Sequence, residues 1–294
     1  MGIWAGSTGP SCWGLDIIAG VRPVITFLTD FGPASTAVCR GVMIGICPEA
    51  NIIVISQQIT RYSIAEGART LVFALPSMPV GTHVAVVDPG VGTDRLALGI
   101  RTARGDVLVG PDNGLLVAAA EALGGIDEVR SIENRELMLP VITSSFHGRD
   151  VFAPVAAYLA TGVPLERVGP PVPAERLVRL SESRPTIRDG VLETEITQVL
   201  LFGNVTFAGG ATELEAALGR LDFGRQVVIE FDGGDGQAAI REVTTWERTF
   251  GRVPVGASLL LIESEGQLSF ADNQGDAARR LGLAVGQAVR IRAG

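Results

Sequence analysis

Residues 84–95 read VAVVDPGVGTDR, and the fold class follows from this stretch. Its first four residues are apolar, three of them are β-branched, and together they predict a short buried strand. The strand ends on Asp88, which is followed by a Pro-Gly-Val-Gly turn. Ligands of open α/β sheets bind where strands end and loops begin, so a carboxylate at this position is placed for chemistry.

Further apolar runs lie on both sides of this stretch and alternate with segments of helical periodicity. The predicted strands are 24–28, 51–55 and 107–109, and the predicted helices are 39–46, 64–75, 115–123 and 151–159. Short buried strands that alternate with helices predict an α/β fold, in which a mostly parallel sheet is covered on both faces.

The character of the sequence changes between Gly169 and Arg188, a segment that holds four prolines and is typical of a linker. Beyond it, short strand-like runs follow one another with turns between them, which predicts a smaller β-rich domain. These runs are 191–201, 227–231, 259–262 and 289–291. We therefore expect an N-terminal extension over 1–22, an α/β domain over 23–180 and a β-rich C-terminal domain over 181–294.

The composition excludes several classes of function. The chain of 294 residues has a net charge of −8 and no lysine, which argues against a nucleic-acid partner, a phosphate-binding P-loop and a lysine Schiff base. Two histidines are too few for a zinc site built on several of them, and no metal or cofactor is indicated. The three cysteines form no CxxC pair, which fits a reducing cytoplasm. No apolar run is long enough to span a membrane, and the first 22 residues lack the basic start of a signal peptide.

The candidate catalytic side chains lie at strand ends and in one polar loop. Asp30 and Asp88 each follow a predicted strand, so the sheet would place both at the same rim, although either could be a turn-forming residue. His147 lies in the polar segment 144–150, which favours a functional role, whereas we interpret His83, which precedes the buried strand, as structural. Arg95 and Asn113 could each be simple turn residues.

Arg149 and Asp150 follow His147 and Gly148, and they precede the apolar helix predicted over 151–159. We expect them to pair with each other or to cap that helix, with no part in catalysis.

Taken together, the polar stretches resemble one enzyme family. The motifs TDFG at 29–32, VVDPGVGTDR at 86–95, PDNG at 111–114, SSFHGRD at 144–150 and FGNV at 202–205 occur in the order found in the S-adenosyl-L-methionine hydrolases. These enzymes are also called SAM hydroxide adenosyltransferases and are related to the fluorinase and chlorinase. The likeness extends from about Val24 to the C-terminus. The halogenating relatives carry an aromatic residue where Asp88 stands, so the chain is similar to the hydrolases.

The resemblance implies an α/β domain joined to a β-barrel-like domain, assembled as homotrimers with sites at subunit interfaces. It also implies hydrolysis of S-adenosyl-L-methionine to adenosine and methionine, in which water or hydroxide attacks C5′ of the ribose. The family's Asp-Arg-His set matches Asp88, Arg95 and His147. In this scheme the acid and the imidazole hold and polarise the water, and the guanidinium stabilises the developing hydroxide. Which group takes the proton is left open.

The resemblance assigns the nucleoside half of the substrate to a second set of residues. Asp30 matches the carboxylate that grips the two ribose hydroxyls. The other residues expected to bind the substrate are Tyr62, Asn113, Ser145, Phe202, Asn204 and Ser269.

The sequence departs from the family where the methionine tail would bind. The loop Pro33–Thr36 is two residues shorter than in relatives and lacks the acidic residue that they carry there. Leu200 and Leu201 stand where relatives carry a second acidic residue, and Glu265 falls where the fluorinase has an arginine. Two alternatives therefore stay open: the same fold could act on a different 5′-substituted adenosine, or the chain could bind adenosine or S-adenosyl-L-methionine without turnover.

Overall fold

A computed structural model describes residues 22–181, 183–233, 238–264 and 266–294 of the chain. The chain divides into two compact units, of which the first ends at Leu180 and the second runs from Ser181 to Gly294. The extension expected over 1–22 lies outside the described residues, apart from Arg22, and so does Glu265.

The first unit is built on a mixed sheet whose described strands have the order β2-β1-β3-β5-β4-β6. These strands are β1 (Val24–Thr29), β2 (Asn51–Ser56), β3 (Thr82–Val86), β4 (Ala97–Thr102), β5 (Val107–Pro111) and β6 (Ile126–Ser131). The first three and β5 run parallel, while β4 is antiparallel to both of its neighbours. The described α-helices of this unit are α1 (Pro33–Ile46), α2 (Ile64–Ala74), α3 (Val117–Ala122) and α4 (Ala153–Ala160).

Two hydrophobic cores lie on opposite faces of this sheet, and β3 contributes to both. Val84 and Val86 belong to the core shared with α1 and α4, whereas Ala85 and Val87 belong to the core shared with α2 and α3. Residues of a strand alternate between faces, so a strand that is covered on both needs an unbroken apolar run. The run at 84–87 therefore specifies a central strand.

β3 and β5 approach each other closely at Gly110. A Cβ atom at this position would lie 2.2 Å from the carbonyl oxygen of Ala85, so the parallel pairing of the two strands requires glycine. The strand after which Asp88 follows is thus held in the centre of the sheet by backbone contact as well as by side-chain burial.

The second unit contains a closed barrel. Seven described strands close it in the order β8-β14-β10-β11-β12-β13-β9, and the ring returns to β8. These strands are β8 (Val191–Val199), β9 (Val205–Gly210), β10 (Gln226–Phe231), β11 (Ile240–Trp246), β12 (Ser258–Ile262), β13 (Gln267–Asp272) and β14 (Ala288–Ala293). A short strand, β7 (Thr186–Arg188), pairs with β8, and two helices, α5 (Ala211–Leu218) and α6 (Ala277–Leu281), complete the described unit. The barrel core is centred on Phe207, Phe231 and Phe270.

The predicted fold class, an α/β domain with a β-barrel-like C-terminal domain, is confirmed, and three local predictions are wrong. His83 lies within β3 and does not precede it. Residues 33–36 form the first turn of α1 and not a loop, because proline at the first helical position has its φ already set for a helix. The predicted helix over 115–123 is shorter, Val117–Ala122. No described helix has both the length and the apolar character needed to cross a membrane.

Candidate active site

Asp88 and Arg95 form an ion pair at the carboxyl end of β3. The turn between them is closed by hydrogen bonds from Val91 N to Asp88 O and from Thr93 N to Gly90 O. This turn brings the guanidinium back onto the carboxylate: Arg95 Nε donates to Oδ1 at 3.1 Å and to Oδ2 at 3.0 Å, and Nη2 donates to Oδ2 at 2.5 Å. Both side chains are nearly buried, so the pair is shielded from solvent.

His147 joins this pair although it lies 52 positions after Arg95 in the chain. Its Nδ1 atom is 3.0 Å from Arg95 Nη2. Burial lowers the pKa of His147 below its ordinary value, and the nearby positive charge of Arg95 lowers it further, against opposing effects of Asp88 and Asp150. The imidazole is therefore neutral at pH 7. The Asp88–Arg95–His147 cluster consists of a carboxylate and an imidazole that both contact one guanidinium.

The segment that carries His147 is fixed by the buried carboxylate of Asp150. Asp150 Oδ2 accepts hydrogen bonds from Thr143 N at 2.8 Å and from Thr143 Oγ1 at 2.6 Å, and Oδ1 accepts from Arg149 Nε at 2.6 Å. The expected pairing of Arg149 with Asp150 is confirmed, but Asp150 does more than that, because it ties together both ends of the loop 143–150. The loop then enters a π-helix at Gly148–Phe152, a distortion that often marks functional sites.

Two glycines allow the same loop to lie close to its neighbours. A Cβ atom at Gly148 would meet the ring of Phe31 at 2.6 Å, and Phe31 also packs edge-on against Phe146 with ring centres 5.6 Å apart. Gly92, which has φ +80°, approaches the carbonyl oxygen of Ser144 in the same way. The position of His147 is thus defined by packing on both sides of the loop.

A cavity of about 260 Å³ opens beside this cluster in the first unit. Four predicted site residues other than Asp88 border it: Asp30, Tyr62, Ser145 and His147. The remaining lining residues are Phe31, Arg61, Val86, Val91, Phe146 and Gly148. Pockets of this kind, mostly apolar with a few convergent polar groups, are typical small-molecule sites.

Asp30 and Tyr62 are linked within this cavity. The Tyr62 backbone N–H donates to Asp30 Oδ2 at 3.0 Å, and Tyr62 adopts φ +66°, a conformation that is uncommon for a residue other than glycine. The Tyr62 side chain is 70% exposed in the described chain, although it borders the cavity. The strained turn therefore presents an aromatic ring next to a carboxylate.

The other predicted site residues are not among the described residues that line this cavity. The side chain of Asn113 donates to Val87 O at 2.9 Å and accepts from Leu115 N, so its amide ties the turn after β5 to the end of β3. The remaining three residues belong to the barrel unit: Phe202 is 77% exposed, Asn204 Nδ2 donates to Glu263 Oε1 at 3.3 Å, and buried Ser269 donates through Oγ to Val205 O.

Family models match both units of the chain. Residues 25–169 match the SAM hydroxide adenosyltransferase N-terminal domain, and residues 195–290 match the C-terminal domain of the same family. The chain belongs to the SAM hydroxide adenosyltransferase family. An (R)-S-adenosyl-L-methionine hydrolase of Salinispora tropica is 39% identical over 277 residues, which cover 92% of this chain and 98% of that protein. The (R)-S-adenosyl-L-methionine hydrolase of Thermus thermophilus is 36% identical over 285 residues, covering 92% and 100%.

Two further comparisons place this family member among its relatives. A fluorinase of Actinoplanes sp. (strain N902-109) is 28% identical over 305 residues, which cover 93% of this chain and 98% of the fluorinase. The crystal structure of an uncharacterized conserved protein from Thermotoga maritima superimposes with a TM-score of 0.81 at 33% identity, covering 91% of this chain and 99% of that one. The resemblance drawn from the sequence motifs is thereby confirmed.

Some residues of the site in this family member were not predicted from the sequence. Arg61 precedes Tyr62 and borders the cavity, and Val91 and Phe146 supply apolar wall. Asp150 was expected only to pair with Arg149 or to cap the following helix. Its bond to Thr143 was not predicted, because the contact between these two residues depends on the loop fold. Val91 and Phe146 both lie inside the quoted motifs. Their positions near Asp88 and His147 in the sequence were the only feature from which a place in the site could have been predicted.

Proposed function

We propose that this chain hydrolyses S-adenosyl-L-methionine to adenosine and L-methionine through attack of water on C5′ of the ribose. One observation carries this proposal: an imidazole and a carboxylate, joined by one arginine, border the same cavity as a second carboxylate suited to a ribose diol. The relatives named as hydrolases support the choice of substrate.

The proposed hydrolysis requires little from the protein beyond the orientation of the attacking water. The leaving thioether is neutral, so no acid is needed to protonate it. A water molecule must lie in line behind the C5′–S bond, and holding it there replaces an encounter in solution by a preorganised attack. In our proposal Asp88 and His147 contact this water. Arg95 acts through them as a positioning residue, because its Nε and Nη2 groups already donate to Asp88 and His147.

The substrate's ribose is assigned to Asp30, and its aromatic neighbour is Tyr62. A carboxylate can accept hydrogen bonds from two vicinal hydroxyls, and the Tyr62 N–H already orients Asp30 Oδ2. We further propose that the adenine binds to Phe202 and Asn204 of another copy in a homotrimer, which would explain why an aromatic side chain as large as Phe202 is exposed. The cytoplasmic location expected from the cysteines is part of the same proposal.

The test is to incubate the chain with S-adenosyl-L-methionine and to follow adenosine and methionine by chromatography. Because the relatives' names specify the (R) form, the two sulfonium epimers should be assayed separately. Both products should appear in equal amounts, and His147→Ala should lower the rate at least a hundredfold. Adenosine release that is unaffected by His147→Ala would contradict the proposed mechanism.

The methionine tail requires its own measurement. Leu200 and Leu201 stand where relatives carry an acid, and Leu201 is almost fully exposed in the described chain. An ammonium without a partner is costly to bury, so we propose that adenosine contributes most of the affinity. Calorimetry should then give similar affinities for adenosine and for S-adenosyl-L-methionine. Binding of S-adenosyl-L-methionine that is far tighter than that of adenosine would contradict this point and would leave the hydrolysis proposal standing.

The trimer is tested by light scattering coupled to gel filtration, which should give three times the mass of the chain. Phe202→Ala should weaken adenosine binding and leave that mass unchanged. A monomer that still binds adenosine tightly would contradict the assignment of Phe202 and Asn204.

A further inference from the structure

The contact between Arg95 and His147 restricts the protonation of the imidazole. A guanidinium carries only donors and remains charged throughout the pH range of proteins, so Arg95 Nη2 can only donate to His147 Nδ1 across their 3.0 Å contact. Nδ1 must therefore be the ring atom without a proton. In a neutral imidazole the single proton then resides on Nε2.

The same contact defines which edge of the ring is available to a ligand. Asp88 and His147 both border the cavity, whereas Arg95 is not among the described residues that line it. Because the Nδ1 edge is occupied by Arg95, the Nε2 edge is the one that can meet a molecule in the cavity. That edge carries an N–H group, which donates a hydrogen bond and cannot accept a proton.

The charged groups around the ring favour this arrangement. Arg95 lies against Nδ1, while the carboxylates of Asp88 and Asp150 act on the ring from the β3 turn and from the π-helix. Asp88 is held by Arg95 through both oxygens, but each carboxylate oxygen has two acceptor positions. Asp88 can therefore still accept a hydrogen bond from a water molecule in the cavity.

We infer that His147 is a hydrogen-bond donor to the attacking water and not its general base, and that Asp88 is the group that accepts the proton. This inference rests on the proposed hydrolysis. In the step, a lone pair of the water oxygen forms the O–C5′ bond, and the C5′–S bond breaks with its electron pair moving to sulfur. One O–H bond of the water breaks and its proton passes to Asp88. The sulfonium becomes a neutral thioether, and the carboxylate becomes a carboxylic acid.

Late proton transfer explains why a weak base is sufficient. As the O–C5′ bond forms, the oxygen becomes positively charged and its proton becomes strongly acidic, so a carboxylate can remove it. The Nε2–H donor holds one lone pair of the water and directs the other toward C5′. Arg95 is what makes this division possible, because it occupies the only ring atom that could have acted as a base.

The tautomer can be read directly, since the chain has only two histidines. A long-range ¹H–¹⁵N correlation spectrum of the labelled, untagged protein at pH 8 gives two ring patterns, and His147→Gln identifies one of them by its loss. We expect His147 to show a protonated Nε2 and an unprotonated Nδ1. A proton on Nδ1, or a doubly protonated ring at this pH, would overturn the inference. The spectrum needs no substrate, so it decides the tautomer even if hydrolysis itself is not observed.

Kinetics test the donor role separately. The side-chain amide of glutamine can donate as Nε2–H does, but it cannot act as a base. His147→Gln should keep turnover within about tenfold of the natural chain, whereas His147→Ala should lose at least a hundredfold and Asp88→Asn should lose as much as His147→Ala. Equal loss in His147→Gln and His147→Ala, with adenosine binding retained in both, would show that the ring acts as a base.

Discussion

Removing the carboxylate of Asp150 should disturb the loop that carries His147 more than the rest of the protein. In Asp150→Ala the backbone N–H and the hydroxyl of Thr143 both lose a charged acceptor. Hydrogen bonds to charged groups contribute about 1.5–3 kcal/mol each, and Thr143 is only half-buried, so water can replace part of the loss. We therefore expect a decrease of about 2–4 kcal/mol in the free energy of unfolding.

The effect on catalysis follows from the position of His147 three residues before Asp150. A displacement of a catalytic group by about 1 Å can cost about a hundredfold in rate, so Asp150→Ala should lower kcat tenfold to a hundredfold. Thr143→Val is the matched control, because it removes the hydroxyl donor and keeps the backbone N–H bond to Asp150. It should cost about 1 kcal/mol and change kcat little. Urea denaturation and initial rates of adenosine formation measure the two quantities.

Asp150→Asn separates the charge of this residue from its shape. The amide oxygen can keep the bonds from Thr143, while the amide nitrogen cannot accept the bond from Arg149 Nε. The Arg149 side chain is about one third exposed and can turn toward solvent, so the loop should stay in place. The negative charge of Asp150 raises the pKa of His147, and its loss should lower that pKa further. Activity that depends on neutral His147 should then persist to lower pH than in the natural chain. An acid limb that moves to higher pH, or Asp150→Ala with unchanged kcat, would refute this account of the loop.

Three further predictions concern the rest of the first unit. Asp106→Asn should lower the free energy of unfolding by about 3–5 kcal/mol at pH 7, because a buried charged network loses one member. The pKa of Asp106 is lowered to about 2, so its stabilisation is present above pH 4 and is lost between about pH 4 and 2. The urea midpoints of the variant and the natural chain should therefore converge in that range. Gly110→Ala should destabilise the fold by about 1–3 kcal/mol or more, because the added Cβ forces β5 away from β3. The control Gly41→Ala, on the open face of α1, should stabilise the fold by about 0.5–1 kcal/mol. Equal urea midpoints for the two variants would contradict the close approach of Gly110 to Ala85. Asp30→Ala should weaken adenosine binding at least tenfold in calorimetry with little change in melting temperature, because it removes both the proposed ribose contact and the acceptor of the Tyr62 N–H; unchanged affinity would exclude Asp30 from the site.

The central strands could be predicted from the sequence, while the outer antiparallel ones could not. β1, β3 and β5 are apolar runs because both faces of the sheet are covered around them. β4 and β6 carry charged residues that pair on the sheet surface, as Arg101 does with Glu128, and such strands lack a clear periodicity. Their existence is decided by pairing with β5, which is a tertiary contact.

The candidate site shows the same limit. Asp88 and Arg95 are seven positions apart in one quoted stretch, and the structure joins them across a turn. The contact between Arg95 and His147 could be predicted only from the order of the family motifs, because nothing local in the sequence brings residues 95 and 147 together. The linkage of Asp150 to Thr143 was missed for the same reason, because the loop 143–150 has to fold before the two residues meet.

The two histidines show why composition alone does not define a site. His83, within β3, contacts Thr26 Oγ1 through Nδ1 and buried Asp106 through Nε2, and Arg104 completes that network. An imidazole, a carboxylate and an arginine thus occur near both ends of one strand. The difference is access: both ring nitrogens of His83 are occupied in the protein interior, whereas within the described part of the chain His147 has a partner at Nδ1 alone and borders the cavity.

The lowered pKa values of both histidines affect every measurement of activity at acidic pH. Burial lowers the pKa of both His83 and His147, so the unfolded chain takes up protons more readily than the folded one as pH falls below 6.5. Stability therefore decreases in the same pH range in which protonation of His147 at Nδ1 would break its contact with Arg95 and displace the ring. A decrease in rate that coincides with unfolding reflects protonation of both His83 and His147. A decrease measured on protein that remains folded reflects protonation of His147 alone. Only the second measurement can show that neutral His147 is required for turnover.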